Sequence, residues 1–107
     1  MTFRIQTAAQ AEADVAEIYD WIDLVQARPL EAARWLADFV RAADSLRQFP
    51  ERCPLAPESR YLDAEVRQLL FHSHRILFVI EGHVIRLLRV RHVSRMPLDE
   101  GELGGED

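Results

Sequence analysis

Three apolar runs that follow one another between residues 65 and 92 constrain the fold of this chain more than any other feature. They read Glu-Val-Arg-Gln-Leu-Leu-Phe, Arg-Ile-Leu-Phe-Val-Ile and Val-Ile-Arg-Leu-Leu-Arg-Val-Arg-His, and the breaks between them read His-Ser-His and Glu-Gly-His. Runs rich in β-branched and large apolar residues between short polar breaks are typical of strands. Gly82 can adopt the positive φ of a tight hairpin turn. The pattern predicts a three-stranded antiparallel meander with strands at 65–71, 75–81 and 84–92.

Two helical patterns precede the meander. The segment Thr7-Ala-Ala-Gln10 reads as a capping box, in which both polar side chains bond backbone N–H groups at a helix start. Pro29 cannot continue a first helix but fits the first position of a second one. The chain therefore predicts an antiparallel hairpin of two helices of about 18–20 residues each. The apolar positions, spaced three and four apart, are Ala11, Val15, Ile18, Tyr19, Ile22 and Val25 in the first helix and Ala32, Trp35, Leu36, Phe39, Ala43 and Leu46 in the second.

A further short strand is indicated before the hairpin, where residues 3–6 alternate apolar and polar. The predicted fold is α+β with the order β-α-α-β-β-β. Each helix buries one face and a small sheet needs a cover, so we expect the hairpin to pack on one face of a mainly antiparallel sheet. The other face is expected to lie open toward solvent or a partner. Residues 1–97 form one domain, and the acidic, glycine-rich residues 98–107 form a tail for which we expect little fixed structure.

Strand periodicity assigns the side chains of the meander to two faces. With a two-residue turn at Gly82, the helix-covered side holds Ile76, Phe78, Ile80, Ile85 and Leu87. The side away from the helices holds Arg75, Arg86 and His92, and Arg89 and Arg91 share a face with each other. Both tryptophans, Trp21 and Trp35, are expected to pack in the core or in the seam of the helical hairpin.

The charge of the chain is unevenly distributed. The net charge is −5, yet residues 60–98 carry seven Arg against three acids, a local charge of +4. All thirteen basic residues are Arg, whose planar fork suits bidentate contacts with carboxylate or phosphate. A locally basic surface suits a large anionic partner. No apolar run is long enough to span a membrane, no secretory signal is present, and Cys53 is alone, which together predict a protein of the reducing cytoplasm.

An open sheet face with Arg and His suits two chemistries. RNA is cleaved without metal when a base, an acid and cations surround the 2′-hydroxyl and the phosphate. Arg67 and Arg75 fit those roles together with His72, His74 or His92. The alternative is that both arginines pair with acids of a protein partner. A metal site at His72 and His74 lacks an obvious third ligand, so we expect none. No motif of a cofactor site is present, and we expect no cofactor.

The order of elements, together with several segments, resembles the RelE/ParE superfamily of bacterial toxins from type II toxin–antitoxin systems. The resemblance covers residues 3–95 and rests on an ordered set of segments rather than on one motif. Those segments are Ala11–Tyr19, Phe49–Glu58, Val66–Phe71, His74–Gly82 and Ile85–His92.

The resemblance implies a toxin that a cognate antitoxin neutralises in a hetero-oligomer, with no membrane partner. RelE-like members cut mRNA on the ribosome with basic meander residues and an aromatic residue or histidine near the C-terminus, whereas ParE-like members inhibit DNA gyrase. Arg75 and Arg67 match the RelE-like positions, but the C-terminal aromatic is absent and only His92 is available by analogy. We therefore expect a ParE-like gyrase inhibitor, with a RelE-like endoribonuclease or a non-toxic antitoxin-binding scaffold as alternatives. The residues expected to bind target and antitoxin are Arg67, Arg75, Arg89, Arg91, His92 and Arg95.

Overall fold

The computed structural model describes residues 2–61, 64–95 and 97–98. Two helices pack on a four-stranded mixed sheet, so the predicted α+β fold and its order β-α-α-β-β-β are confirmed. A π-helical turn follows the first helix, and two 3₁₀ turns lie between the second helix and the meander. No helix in the described part of the chain is long and apolar enough to cross a bilayer. The elements are β1 (Arg4–Thr7), α1 (Ala9–Asp20), the π-helical turn (Trp21–Val25), α2 (Pro29–Ser45), the 3₁₀ turns (Pro50–Arg52 and Pro57–Tyr61), β2 (Arg67–Phe71), β3 (His74–Glu81) and β4 (Val84–His92).

The start of α1 differs from the prediction. Ala8 occupies the N-cap position and no side chain caps the helix, so the predicted capping box is wrong. Thr7 is instead the last residue of β1, where it pairs with Leu87 of β4. The N–H of Ala8 donates to the carbonyl of Leu87 at 2.9 Å, which holds this junction against the sheet. Thr7 therefore pairs in the sheet, although the local sequence predicts that it caps the helix.

The hairpin itself forms as predicted, with Pro29 as the first residue of α2. The inner face of α2 buries Ala32, Trp35, Phe39 and Ala43. The prediction for the two tryptophans holds for Trp35, which is 5% exposed, but is wrong for Trp21, which is 54% exposed. Trp21 opens the π-helical turn near the tip of the hairpin, and its side chain remains largely outside the core.

The sheet has the order β1-β4-β3-β2, with β1 parallel to β4 and the other neighbours antiparallel. Gly82 has a φ of 63° in the two-residue turn between β3 and β4, as predicted. A bulge interrupts this hairpin, because Leu77 pairs with Arg89 while Phe78 pairs with Leu87. A bulge inserts one unpaired residue and reverses which face the following side chains occupy. Leu88 is that extra residue.

The helix-covered face of the sheet forms the main core. Ile76, Phe78, Ile85 and Leu87 are fully buried there, and Ile80 packs against them, which confirms the predicted face. Val90 belongs to the same cluster because the bulge has moved it to this side. His92 shares the new phase, so its predicted position on the side away from the helices is wrong. Arg89 and Arg91 do share a face, as predicted. Arg89 pairs with Leu77 and Arg91 pairs with Arg75, and these two residues lie on the same face of β3.

The opposite face of the sheet is covered, and the prediction of an open face is wrong. Leu77 and Val79 are buried there with Ala56, Val66 and Leu98. The connection after the second helix folds back under the sheet. Two backbone hydrogen bonds hold it there: the N–H of Ala56 donates to the carbonyl of Val66 at 2.7 Å, and the N–H of Gln68 donates to the carbonyl of Pro54 at 3.0 Å. A strand with an unbroken apolar run needs cover on both faces. Leu98, assigned to the tail, is part of this cover, and residues 99–107 lie outside the described residues.

Phe78 is the largest fully buried side chain of the fold. We expect Phe78→Ala to lower the free energy of unfolding by about 3–5 kcal/mol, because it removes apolar contacts and leaves a cavity. Leu24→Ala is the control: Leu24 is 69% exposed, and its truncation should stay within about 0.5 kcal/mol. Urea unfolding followed by circular dichroism measures both. A loss for Phe78→Ala no larger than that of the control would contradict this account of the core.

Candidate functional site

A groove of about 720 Å³ lies between the helical hairpin and the end of the meander. One wall comes from α1, the π-helical turn and the start of α2, and the other from the β2–β3 turn and residues 89–95. The groove brings together three of the four histidines of the chain. Its lining side chains with ionisable groups are Asp14, Glu17, Arg28, Glu31, Arg34, His72, His74, Arg89, Arg91, His92 and Arg95.

The register of the meander delivers the histidines to the groove. His74 begins β3 and pairs directly with His92 at the end of β4, so the two rings meet at one edge of the sheet. Their ring centroids are 5.3 Å apart in an edge-to-face arrangement. His72 lies in the adjacent turn with a φ of 51°, and its Nε2 is 2.5 Å from Asp38 of α2. The hydrogen bond with His72 lowers the pKa of the Asp38 carboxyl.

His74 is held in one neutral form. The indole Nε1–H of Trp35 donates to His74 Nδ1 at 3.3 Å, so the proton of the neutral ring is on Nε2. Burial, together with the charges of His92 and His72, lowers the pKa of His74 from 6.5 to about 4. At neutral pH this ring is therefore a hydrogen-bond donor through Nε2 and carries no charge.

His92 is oriented in the same way by the residues that follow it. The backbone N–H of Ser94 donates to His92 Nδ1 at 3.0 Å, and the Ser94 hydroxyl oxygen is 2.7 Å from the same nitrogen. Because Nδ1 accepts, Nε2 carries the proton of the neutral ring. Both rings of the pair therefore offer an N–H rather than a lone pair on Nε2, which suits binding of an oxyanion better than abstraction of a proton.

Arg89 supports the groove wall through Asp14. The Asp14 carboxylate accepts from Arg89 at 2.7 and 3.0 Å, and it also accepts the backbone N–H of Val90 at 2.9 Å. β1 pairs with β4 only up to Leu87, so beyond that point the edge of β4 bonds the side chain of α1 instead. The pair joins α1 to the strand where the two walls meet.

Arg75 and Arg67 lie away from the groove. Arg75 is 6% exposed, and its guanidinium donates to both oxygens of Glu58 at 2.9 and 2.6 Å. Glu58 itself is fully buried; burial raises the pKa of its carboxyl, but hydrogen bonds from Arg75 and from the N–H of Leu98 outweigh burial and lower it. Arg67 donates to the carbonyls of Cys53 at 2.7 Å and Glu51 at 3.3 Å, and it contacts Glu65. Both arginines hold the connection under the sheet.

The structure thus divides the residues predicted from sequence into two groups. The groove collects Arg89, Arg91, His92 and Arg95, while Arg67 and Arg75 bond the connection. Arg28 and Arg34, which come from the other wall, were not among the predicted residues. Arg28 directly precedes Pro29 and Arg34 lies in the first half of α2, and neither position carries a sequence signal of a binding role. In the described part of the chain, no group of three or more His, Cys, Asp or Glu side chains could hold a metal ion.

Residues 5–97 match the family model described as ParE toxin of type II toxin-antitoxin system, parDE. The chain belongs to this family. It is thus a type II toxin–antitoxin toxin of the RelE/ParE superfamily, as the resemblance predicted.

Relatives of known structure and sequence agree with this assignment. The chain is 33% identical over 88 residues to Toxin RelE2 of Caulobacter vibrioides, which covers 81% of this chain and 91% of that protein. The chromosomal ParDE system of P. aeruginosa shares the fold with a TM-score of 0.68 at 23% identity, covering 85% of this chain and 96% of that chain. The toxin–antitoxin complex RelBE2 of Mycobacterium tuberculosis shares it with a TM-score of 0.59 at 22% identity, covering 86% and 99%.

The lowered pKa of His74 predicts how the stability of this toxin depends on pH. The unfolded chain binds a proton at this ring near pH 6.5, whereas the folded protein binds it only near pH 4. The free energy of unfolding therefore falls as pH decreases through this window, and His74→Gln should reduce that fall. Urea midpoints at about pH 7 and about pH 5 measure it. His83→Gln, in the exposed β3–β4 turn, is the control and should keep the wild-type dependence; equal pH dependences for all three proteins would contradict the expectation.

Proposed function

We propose that this protein inhibits growth by binding DNA gyrase, and that an antitoxin silences it by placing an acidic segment in the groove. The single observation that carries the antitoxin part is the groove itself, where arginines from two walls surround a pair of histidine N–H donors. The similar structures come from ParDE and RelBE2 toxin–antitoxin systems, which supports a protein antitoxin as the partner.

The chemistry of the groove favours an acidic protein segment over a nucleic acid. Three carboxylates, Asp14, Glu17 and Glu31, lie among the lining cations and repel a uniform polyanion. The groove also has apolar lining from Ile18 and Ile22. A peptide with alternating acidic and apolar residues satisfies both sets of side chains, because carboxylates bind arginine forks and apolar side chains displace water.

The tip of the hairpin extends this surface with apolar side chains. Four large hydrophobic residues are exposed there by 54–78%, and one of them, Trp21, also lines the groove. Contiguous exposed apolar surface beside a polar site is typical of a protein–protein interface. The four residues are Trp21, Leu24, Val25 and Leu30.

Protein binding rather than RNA cleavage is supported by the engagement of Arg75. The resemblance matches Arg75 to a basic meander residue of RelE-like enzymes, but here its guanidinium bonds the buried carboxylate of Glu58. Moving it to a phosphate would leave Glu58 as a buried, unpaired charge, which costs several kcal/mol. The family model that matches the chain is also that of a ParE toxin.

The second candidate is a ribosome-dependent endoribonuclease. The histidine pair favours it, since His74 and His92 lie 5.3 Å apart beside Arg91 and Arg95. In that reaction the Nε2–H of His92 would donate to the leaving oxygen. A third candidate, a scaffold that binds antitoxin without toxicity, would use the same groove.

Expression of the protein alone in bacteria distinguishes these candidates. We expect growth arrest with loss of negative supercoiling in a reporter plasmid and with intact mRNA, because gyrase is the proposed target. Cleavage of ribosome-bound mRNA with unchanged supercoiling would favour the endoribonuclease. Unimpaired growth with abundant folded protein would favour the scaffold. Purified gyrase in a supercoiling assay provides the direct measurement.

Charge reversal at the groove should weaken the complex with the antitoxin. We expect Arg95→Glu to raise the dissociation constant for the protein encoded beside the toxin by about tenfold or more, because it places a like charge against an acidic segment. Arg4→Glu, at an exposed position on β1 away from the groove, makes the same change in net charge and serves as control. Surface plasmon resonance measures both, and equal weakening by the two variants would point to net charge rather than to the groove.

A further inference from the structure

The Glu58 carboxylate is the meeting point of three separate parts of the chain. Glu58 lies in the 3₁₀ turn of the connection, Arg75 lies in β3, and Leu98 follows the meander. Arg75 donates to both carboxylate oxygens, and the backbone N–H of Leu98 donates at 2.9 Å to the oxygen that Arg75 Nη2 contacts at 2.6 Å. Glu58 and Leu98 are fully buried, and Arg75 is 6% exposed. No bulk water competes with these contacts, so each is stronger than on a surface.

This arrangement fixes the segment that carries part of the groove. β4 ends at His92, and the next residue bonds back to the β2–β3 turn, with Val93 N–H to Ser73 carbonyl at 2.8 Å. Arg95 N–H then donates to the carbonyl of His92 at 3.0 Å. Three residues later the chain is held again at Leu98, by Glu58. Residues 93–95, including Arg95 at the groove, are therefore anchored on both sides.

We infer that Glu58 is a positioning residue for the groove: it holds Leu98 and thereby sets where Arg95 and Ser94 lie. Ser94 in turn orients the ring of His92 through its N–H. The inference explains why a buried ion pair, which by itself contributes little net stability, is present under the sheet. It rests on the proposed function only for its effect on partner binding, while the anchoring itself concerns this chain alone.

Arg75 supports the same anchor, because it holds the Glu58 carboxylate from the side of the sheet. Its guanidinium also donates to Gln68 Oε1 of β2 at 3.0 Å, so it joins β2, β3 and the connection. A lysine at this position cannot form the fork to both Glu58 oxygens. Arg75, which was expected from the sequence to bind target and antitoxin, is thus the cation that neutralises the buried carboxylate of Glu58.

The test separates positioning from plain stability with a paired substitution. Replacement of a buried ion pair by apolar residues of similar size often preserves the fold, so Glu58→Leu with Arg75→Met removes the acceptor for Leu98 N–H without leaving a buried charge. Glu58→Gln is the conservative variant, because its amide oxygen can still accept from Leu98. Val79→Ala is the stability control, since Val79 is buried in the same cluster as Leu98 and forms none of the hydrogen bonds to Glu58.

Amide hydrogen exchange of the full chain is the first readout. We expect the Leu98 amide to exchange at least about tenfold faster in the paired variant than in Val79→Ala at equal global stability. In Glu58→Gln its exchange rate should lie between those of wild type and the paired variant. The NMR signals of Ser94, Arg95 and the His92 ring should shift in the paired variant, which lacks the acceptor for Leu98 N–H, and should stay in place in Val79→Ala. Protection of Leu98 that follows global stability alone, with unchanged Ser94 and Arg95 signals, would overturn the inference.

Binding is the second readout, with a short peptide of alternating glutamate and leucine as the probe and tryptophan fluorescence as the signal, because Trp21 and Trp35 line the groove. In wild type, Arg95→Ala should weaken binding; in the paired variant, Arg95→Ala should add little, because Arg95 has already lost its position. Additive losses would contradict a route through Arg95. If wild type does not bind this peptide, the proposed groove partner fails, and the exchange experiment still decides the anchoring.

Discussion

The burial of β3 on both faces is the constraint on which the rest of the structure depends. Phe78 faces the helices while Leu77 and Val79 face the second cluster, and an apolar strand of this kind needs two covers. The hairpin supplies one, and the connection from α2 supplies the other. That connection brings Glu58 under the sheet, where a buried carboxylate requires a cation. The internal position of Arg75 is therefore a consequence of how β3 packs.

The bulge at Leu88 is the second determinant of the site, because it changes the phase of β4 between the core and the groove. Without it, strict alternation from Leu87 would place Val90 and His92 away from the helices. With it, His92 meets His74 and the ring of Trp35 orients the latter from α2. The histidine pair is thus a product of one extra residue in one strand. No turn signal in the sequence marks that residue, since Leu-Leu reads equally well in either register.

The strands, the hairpin and the helix-facing residues were predictable because they follow from periodicity and from residues that act locally, such as Pro29 and Gly82. The errors concern contacts between distant segments. Thr7 was assigned to helix capping, but its pairing with Leu87 prevailed. The open face was expected because the helical hairpin supplies a cover for one sheet face only, although the unbroken apolar run of β3 already indicated burial on both sides. Local chemistry specified the elements, whereas tertiary pairing decided what covers them.

The distribution of charge along the sequence also differs from the distribution of charge in the folded site. The excess of arginine in residues 60–98 did not produce a continuous basic sheet face, because Glu58 and Asp14, which lie before that region, bond Arg75 and Arg89. Both halves of the chain line the groove, which combines arginines, histidine N–H donors, carboxylates and apolar side chains. Phosphates along RNA repeat one charge at each step, whereas a protein segment can vary its chemistry residue by residue. A lining so varied is therefore better matched by a folded or folding polypeptide, which is the physical reason for placing a protein partner there.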